Sequence, residues 1–444
     1  MAKNNIDVSQ YIHPIIDEPQ DFDIVMHHIA EASIVLMGEA THGTREFYDA
    51  RADIAKRLII EKGFRTIALE ADFPDTYHVN QYINFQSKDK SVKEALGDFK
   101  RFPQWMWRNE SMIAFIEWLC EFNDSQPVEK RVQIYGLDLY SLHRSIAVLI
   151  AELEKIDPQV AQEAKKQYAC FDVYKDPQEY GYYASMLPDK SCHEAVIKQL
   201  QEMKRKEVNF FAYDQLNPLE EKFYIEQNAL VIKNAELYYR TLFGGTNALS
   251  WNVRDQHMAE TAKEIEKYNK AAGRDHKMII WAHNSHVGNA NATQMASYGE
   301  INVGQLIKEA YGAQAVSIGF TTYTGMVSAA SAWGADVERK YVRPAVENSV
   351  EAFFHNLRAG DFIIIPAQHA DLYEFFNHDD YLERAIGVVY LPHSERASHY
   401  FYTQLAEQFD IVIHYDTTHA VIPLERSTEW EKGEDVPETF PFGV

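Results

Sequence analysis

Two short apolar runs, far apart in the chain, end in the same kind of residues. Ser33-Ile34-Val35-Leu36-Met37 leads into Gly38-Glu39-Ala40-Thr41-His42-Gly43, and Lys277-Met278-Ile279-Ile280-Trp281 leads into Ala282-His283-Asn284-Ser285-His286. Each reads as a strand buried on both faces, the kind that parallel sheets contain. A third run, Arg65-Thr66-Ile67-Ala68-Leu69, ends on Glu70. Open α/β sheets build their sites outside the C-terminal ends of the strands. Strand ends that carry Glu39, His42, Glu70, His283 and His286 therefore predict one polar pocket, and the chain reads as an enzyme.

Between these runs the sequence alternates. The period predicts a helix from about Thr44 to Lys62 and another around Asn109 to Asn123, where Met112, Phe115, Ile116 and Leu119 recur at helical spacing. Arg131-Val132-Gln133-Ile134-Tyr135-Gly136-Leu137 reads as a strand ending on Asp138. Further strands are expected at 277–281, 314–320, 361–365, 386–391 and 410–415. Such alternation implies an α/β fold with a mostly parallel central sheet flanked by helices. From 141 to 273 strand patterns give way to helical ones broken by Pro158, Pro177, Pro188 and Pro218. The expected organisation is an α/β core over 1–140 and 274–444, interrupted by a lid-like helical insertion.

The formal charge of −23 argues against nucleic acid and anionic membrane surfaces as partners, since both demand basic patches. No stretch approaches the ~18 continuous apolar residues of a membrane span. The N-terminus lacks the basic and apolar segments of a signal peptide. Cys120, Cys170 and Cys192 are scattered and odd in number, which predicts no disulfide framework. A soluble, cytoplasmic protein acting on a small molecule is the expectation.

In Gly38-Glu39-Ala40-Thr41-His42-Gly43-Thr44-Arg45 the two glycines are expected to supply the backbone freedom of a tight strand-to-helix turn. The spacing mimics a phosphate loop, but no Lys follows the second Gly and Glu39 would repel an anion. Arg51 falls on the apolar stripe of Phe47, Ile54 and Leu58. A guanidinium there needs an anion, and Glu39 and Glu70 are candidates; otherwise it reaches solvent along its stem. His283 and His286 fit one turn and suit either a metal or a proton-transfer site. Ser285 is not the serine of a G-x-S-x-G elbow, a motif this chain lacks. Trp105, Trp107 and Arg108 suit the wall of a pocket for a bulky, partly apolar ligand, or a loop plugged into the core. Arg254 could reach the site or pair locally. Asp138 is assigned a supporting role at one remove.

Taken together, Gly38–Gly43, Arg51, Glu70, Trp105-Met106-Trp107-Arg108-Asn109, Arg254-Asp255, Trp281–His286, Gly387-Val388-Val389-Tyr390 and Ser398-His399-Tyr400 resemble the erythromycin esterase family over nearly the whole chain. The resemblance implies hydrolysis of a macrolide-type lactone or other carboxylic ester. It makes His42 the general base, Glu39 and Glu70 its orienting carboxylates, and Arg51, His283 and His286 the groups that hold substrate and oxyanion. It implies no cofactor, and the residues offer no covalent nucleophile, which favours direct attack by water without a covalent intermediate. The residues themselves leave two alternatives open: a hydrolase with Zn²⁺ or Mn²⁺ at the same Glu/His cluster, and a non-catalytic binder of a bulky glycosylated ligand.

Overall fold

The structure is a computed structural model, and it describes residues 6–18, 20–205, 218–378 and 381–434. In chain order its strands are β1 (Ile12–Pro14), β2 (Ile34–Met37), β3 (Thr66–Asp72), β4 (Gln133–Asp138), β5 (Met278–Trp281), β6 (Ala315–Ala329), β7 (Glu338–Val342), β8 (Phe362–Ile364), β9 (Tyr381–Arg384), β10 (Tyr400–Thr403) and β11 (Ile411–Thr418). Among the described residues one sheet runs β1-β8-β11-β6-β2-β5-β3-β4, with β7 paired to β6. From β11 to β4 every neighbouring pair is parallel, and β8 and β1 close the edge antiparallel. The mostly parallel α/β fold is as expected.

The alternation of side chains explains why both faces are covered. Val35 and Met37, with Ile279 and Trp281, enter one core; Ile34 and Leu36, with Met278 and Ile280, enter the other. The Arg45–Lys62 and Glu110–Asp124 helices close the first face through Phe47, Ile54, Leu58, Phe115 and Leu119. The Asn247–Ala271 and Val303–Tyr311 helices close the second through Met258, Ile265, Val303 and Ile307. Between β4 and β5 the described chain is helical, and the segments Leu142–Ile156, Pro158–Tyr168, Pro177–Met186 and Pro218–Gly244 share a core of their own, with Leu149, Tyr180 and Ile232 at its centre.

Three expectations are corrected. Residues 386–391 are not a strand of the sheet: their backbone bonds go to loops, Ile386 N–H to the Ala40 carbonyl and Tyr390 N–H to the Ala330 carbonyl, while β9 pairs with β10. Apolar character there serves packing rather than a ladder, with Ile386 and Tyr390 set against Val327 and Ala329 of β6 and Val342 of β7. Cys170 and Cys192 form a disulfide, because helix packing in the inserted segment brings together positions that linear spacing does not relate. Gly38 and Gly43 do not carry positive φ. Their role is space: a Cβ would lie 2.1 Å from Asn284 Oδ1 at Gly38 and 1.9 Å from the Ser328 carbonyl at Gly43.

Candidate active site

The chain crosses between β2 and β3 over the position later filled by β5, so the C-terminal ends of β2, β5, β3 and β4 lie side by side. These ends deliver Glu39 and His42, then His283 and His286, then Glu70 and Asp72, then Asp138. Above them is a cavity of about 480 Å³ lined by His42, Glu70, Asp138, Arg254, His283 and His286 among others.

His42 is held from behind. Its Nδ1 bonds Glu39 Oε1 at 2.8 Å, and Arg51 Nη2 donates to Glu39 Oε2 at 2.5 Å. Because the carboxylate can only accept, Nδ1 carries the hydrogen and Nε2 keeps its lone pair. Tyr48 fixes the loop by donating its hydroxyl to the His42 carbonyl at 2.9 Å. Arg51 is fully buried on the apolar stripe, between the rings of Tyr48 and Trp281 at 4.8 and 5.0 Å. It does not line the cavity. Its expected contact with substrate is therefore replaced by a contact with Glu39, whose charge it neutralises.

His283 lies beside His42, ring centroids 4.9 Å apart. Its Nδ1 faces the Ser285 hydroxyl at 2.9 Å and accepts from the Ser285 N–H at 3.2 Å. Two donors on Nδ1 place the ring hydrogen on Nε2. That Nε2 is buried and has no hydrogen bond of ordinary geometry among the described residues; its nearby acceptor is the Ala40 carbonyl, which also accepts from Ile386 N–H. Burial, reinforced by His42, pushes the imidazole down to about 3, so His283 is a neutral donor. Its backbone N–H donates to Glu70 Oε2 at 2.8 Å.

His286 is the opposite case. Its Nδ1 faces both oxygens of Asp255 at 2.8 and 3.0 Å, and its ring stacks on Trp251 with centroids 4.5 Å apart. Burial would lower its pKa, but Asp255 and then Glu70, 3.3 Å from Nε2, raise it to about 9. Arg254 Nη1 also lies 3.0 Å from that Nε2. In the neutral ring Nε2 accepts from Arg254; in the imidazolium Nε2–H can only donate, and its acceptor is Glu70. Arg254 donates to Glu70 Oε1 at 2.6 Å and clasps Asp138 at 2.7 and 3.1 Å. Burial alone would push Glu70 up; His286 and Arg254 instead hold it well below the usual carboxylate range. Asp138 is lowered too, Arg254 outweighing burial. Among the described residues no three His, Cys, Asp or Glu side chains converge as a set of metal ligands.

Trp107 lines the cavity, but Trp105 and Arg108 do not. Trp105 is buried in the core against Phe102. Arg108 is turned to Glu425 and the Leu96 carbonyl, locking the chain's C-terminal segment to the loop. Asp255, Trp251 and Tyr48 complete the arrangement without having been assigned roles. Arg254-Asp255 on one helix was the available signal: adjacent side chains point in different directions, one to Asp138 and one to His286.

A sequence model described as erythromycin esterase matches residues 59–418. The chain is 21% identical to erythromycin esterase type II of Escherichia coli, over 76% of this chain and 81% of that protein. It is 24% identical to the putative hydrolase YbfO of Bacillus subtilis (strain 168), over 66% and 65%. Among solved structures, a succinoglycan biosynthesis protein superposes with a TM-score of 0.75 at 22% identity, covering 94% of this chain and 96% of the other. A histidine-to-asparagine mutant of the erythromycin esterase EreC in its open conformation gives 0.63 at 17% identity, over 90% and 94%.

Proposed function

The chain belongs to the erythromycin esterase family, and from that premise we propose that it is a hydrolase that cleaves a carboxylic ester or lactone with water activated by His42. Family membership and the names of its relatives support a hydrolase. The observation that carries the finer reading is the chain of contacts Arg51–Glu39–His42, which leaves one imidazole nitrogen facing a cavity with its lone pair available.

Water between Nε2 of His42 and the substrate carbonyl gives its proton to His42 as it attacks. Glu39 stabilises the imidazolium through Oε1, and Arg51 donates to its other oxygen without competing for that contact. The oxyanion of the tetrahedral intermediate accepts from the Nε2–H of His283, and such fixed donors are commonly a large part of catalysis. Collapse returns the proton from His42 to the leaving alkoxide. Ser285 is no nucleophile in this scheme: its hydroxyl faces His283 Nδ1, but an imidazole lowered to about 3 is too weak a base to activate it. His286 and Arg254 hold Glu70, which fixes His283 through its backbone N–H. Trp107, Trp251 and Trp333 give the cavity broad apolar walls that suit a bulky ring.

Mass spectrometry of a macrolide and of simple ester panels tests the reading. Turnover adds one water, incorporates the label from ¹⁸O-water into the acid, and falls by roughly 10²–10⁴ in His42→Ala. Undiminished water addition in that variant rejects His42 as the base. Turnover abolished by a chelator and restored by Zn²⁺ or Mn²⁺ would replace the scheme with a metal-dependent one. Tight binding without turnover across the panels would make the protein a binder.

A further inference from the structure

Asn284 stands between the two histidines of the β5 end and has no part in this chemistry. It is fully buried, and the contacts of its side-chain amide lie outside its own turn. Nδ2 donates to the Phe320 carbonyl of β6 at 2.7 Å and to Glu383 Oε1 of β9 at 3.1 Å, and Oδ1 accepts from the Phe320 N–H at 3.2 Å. Sheet order explains the reach. β2 lies between β5 and β6, and its ladder with β6 closes where Gly38 N–H donates to the Ile318 carbonyl at 2.8 Å. There the chain leaves the sheet for the Glu39–His42 turn. Phe320, further along β6, is left without the neighbour that would pair its N–H and C=O, a costly state for buried backbone. The Asn284 amide crosses the end of β2 and supplies both partners. It passes so close to Gly38 that a Cβ there would lie 2.1 Å from Oδ1.

We propose that Asn284 is a positioning residue, which sets the distance between His42 and His283 by anchoring the β5 turn to β6 across the end of β2. The roles of the two histidines rest on the hydrolase reading above; the anchoring does not. Consecutive backbone groups carry the effect to the rings. His283 N–H donates to Glu70 Oε2 and Asn284 N–H to the Glu39 carbonyl, each at 2.8 Å. One residue thus ties the turn that holds His283 both to the turn that holds His42 and to β6, and the two rings lie 4.9 Å apart. Both rings must meet one carbonyl group, and a misplacement of about 1 Å is enough to cost ~10²-fold in rate. Glu383 backs the amide as a neutral acceptor. Burial and then Glu351 push its carboxyl up to about 8, with Gln408 and Asn284 opposing. Asn284 does not line the cavity, so the cost of losing it is expected in kcat rather than in KM.

Asn284→Ser and Asn284→Asp in the full chain test the anchor. The readouts are ester turnover per folded molecule and, separately, crystal structures of variant and native protein. Serine is too short to reach Phe320. Its kcat is expected to fall about 100-fold with KM within about threefold, and the His42–His283 separation to change by on the order of 1 Å. Aspartate keeps the size and the acceptor for Phe320 N–H but lacks the second donor hydrogen, so both effects are expected in the same direction and smaller. If the serine variant does not fold, the aspartate variant decides on the same two readouts. A serine variant with kcat within about threefold of native overturns the proposal, as does a loss that falls on KM alone. A lowered kcat with the two rings unmoved also overturns it. Native protein that turns over no ester sinks the hydrolase reading, and the crystal structures then decide the anchor; native turnover with the rings unmoved in the variant does the reverse.

Discussion

Arg51→Met separates the structural from the chemical use of the Arg51–Glu39 pair. Both side chains are at most 1% exposed, so deleting the guanidinium leaves a buried carboxylate whose remaining partner is the His42 imidazole. Breaking a buried pair from one side costs about 3–5 kcal/mol, a large fraction of the ~5–15 kcal/mol that a folded protein has. Glu39→Gln alone strands the guanidinium instead and costs a similar amount. The double variant removes both charges at nearly constant volume, and it also removes Arg51 Nη1, a buried donor that has no partner among the described residues. Lost stacking on Tyr48 and Trp281 offsets part of that gain, at roughly 1 kcal/mol. The double variant is therefore expected within about 1–2 kcal/mol of the native protein, giving a coupling of several kcal/mol in the double-mutant cycle. Its activity should not return: without the carboxylate His42 loses its tautomer and the stabilisation of its imidazolium, a loss on the order of 10⁴ in other enzymes with such a pair. Urea unfolding followed by tryptophan fluorescence, beside ester turnover, reads both quantities. Additive destabilisation in the double variant would refute the buried pair. Recovered turnover would refute the need for Glu39.

His286 makes stability depend on pH. Its pKa is raised in the folded state to about 9 from 6.5, so its contribution is fully present below about 6.5 and is lost as pH rises through about 9. The shift corresponds to roughly 3 kcal/mol; urea midpoints at pH 6.5 and 9.5 should differ more in the native protein than in His286→Gln, and identical differences would reject the imidazolium. Thiol titration of the denatured, unreduced chain should find one thiol, Cys120, and three after reduction; three from the start would contradict the Cys170–Cys192 bond. Trp107→Ala should raise KM for bulky esters about 10-fold or more, while leaving kcat for a small acetate ester within twofold, on the basis of the ~1.5–3 kcal/mol carried by a large buried apolar side chain. Unchanged KM for the bulky ester would remove Trp107 from the substrate's path.

The parts of this site that sequence alone discloses are those whose position follows from local periodicity. A fully apolar run fixes a strand, the strand fixes where its last side chain points, and so Glu39, His42, Glu70, His283 and His286 could be gathered before any coordinates. Arg51 could be identified as buried because the helical period places it on the stripe of Phe47, Ile54 and Leu58, although its partner could not be chosen between Glu39 and Glu70. What stayed hidden depends on contacts across long separations. Arg108 is pulled from the cavity by Glu425, 317 positions away, and the Cys170–Cys192 pairing depends on how helices stack. Residues 386–391 have the composition of a strand but spend their hydrogen bonds on loops. The glycines of the first motif are needed because Asn284 and Ser328 approach them, and neither approach is written locally.

The three histidines at these strand ends start from one reference pKa and are driven to different tasks by their neighbours. His283 has only a hydroxyl and a backbone N–H on Nδ1 and no carboxylate touching its ring, so burial keeps it neutral and its remaining N–H becomes a fixed donor. His286 faces Asp255 and Glu70, so it is a permanent cation near neutral pH and acts through the carboxylate it holds. His42 faces a carboxylate that is also bonded by Arg51, which gives it an orienting acceptor on Nδ1 and leaves Nε2 toward the cavity. Environments that push like groups apart are how one pocket runs acid, base and electrostatic roles together. The assignment of base to His42 and donor to His283 follows from that partition: exchanging the partners, with Ser285→Asp placing a carboxylate on His283, should charge His283 and remove the neutral donor while leaving His42 in place. Turnover that survives this substitution undiminished would show that the oxyanion is stabilised elsewhere.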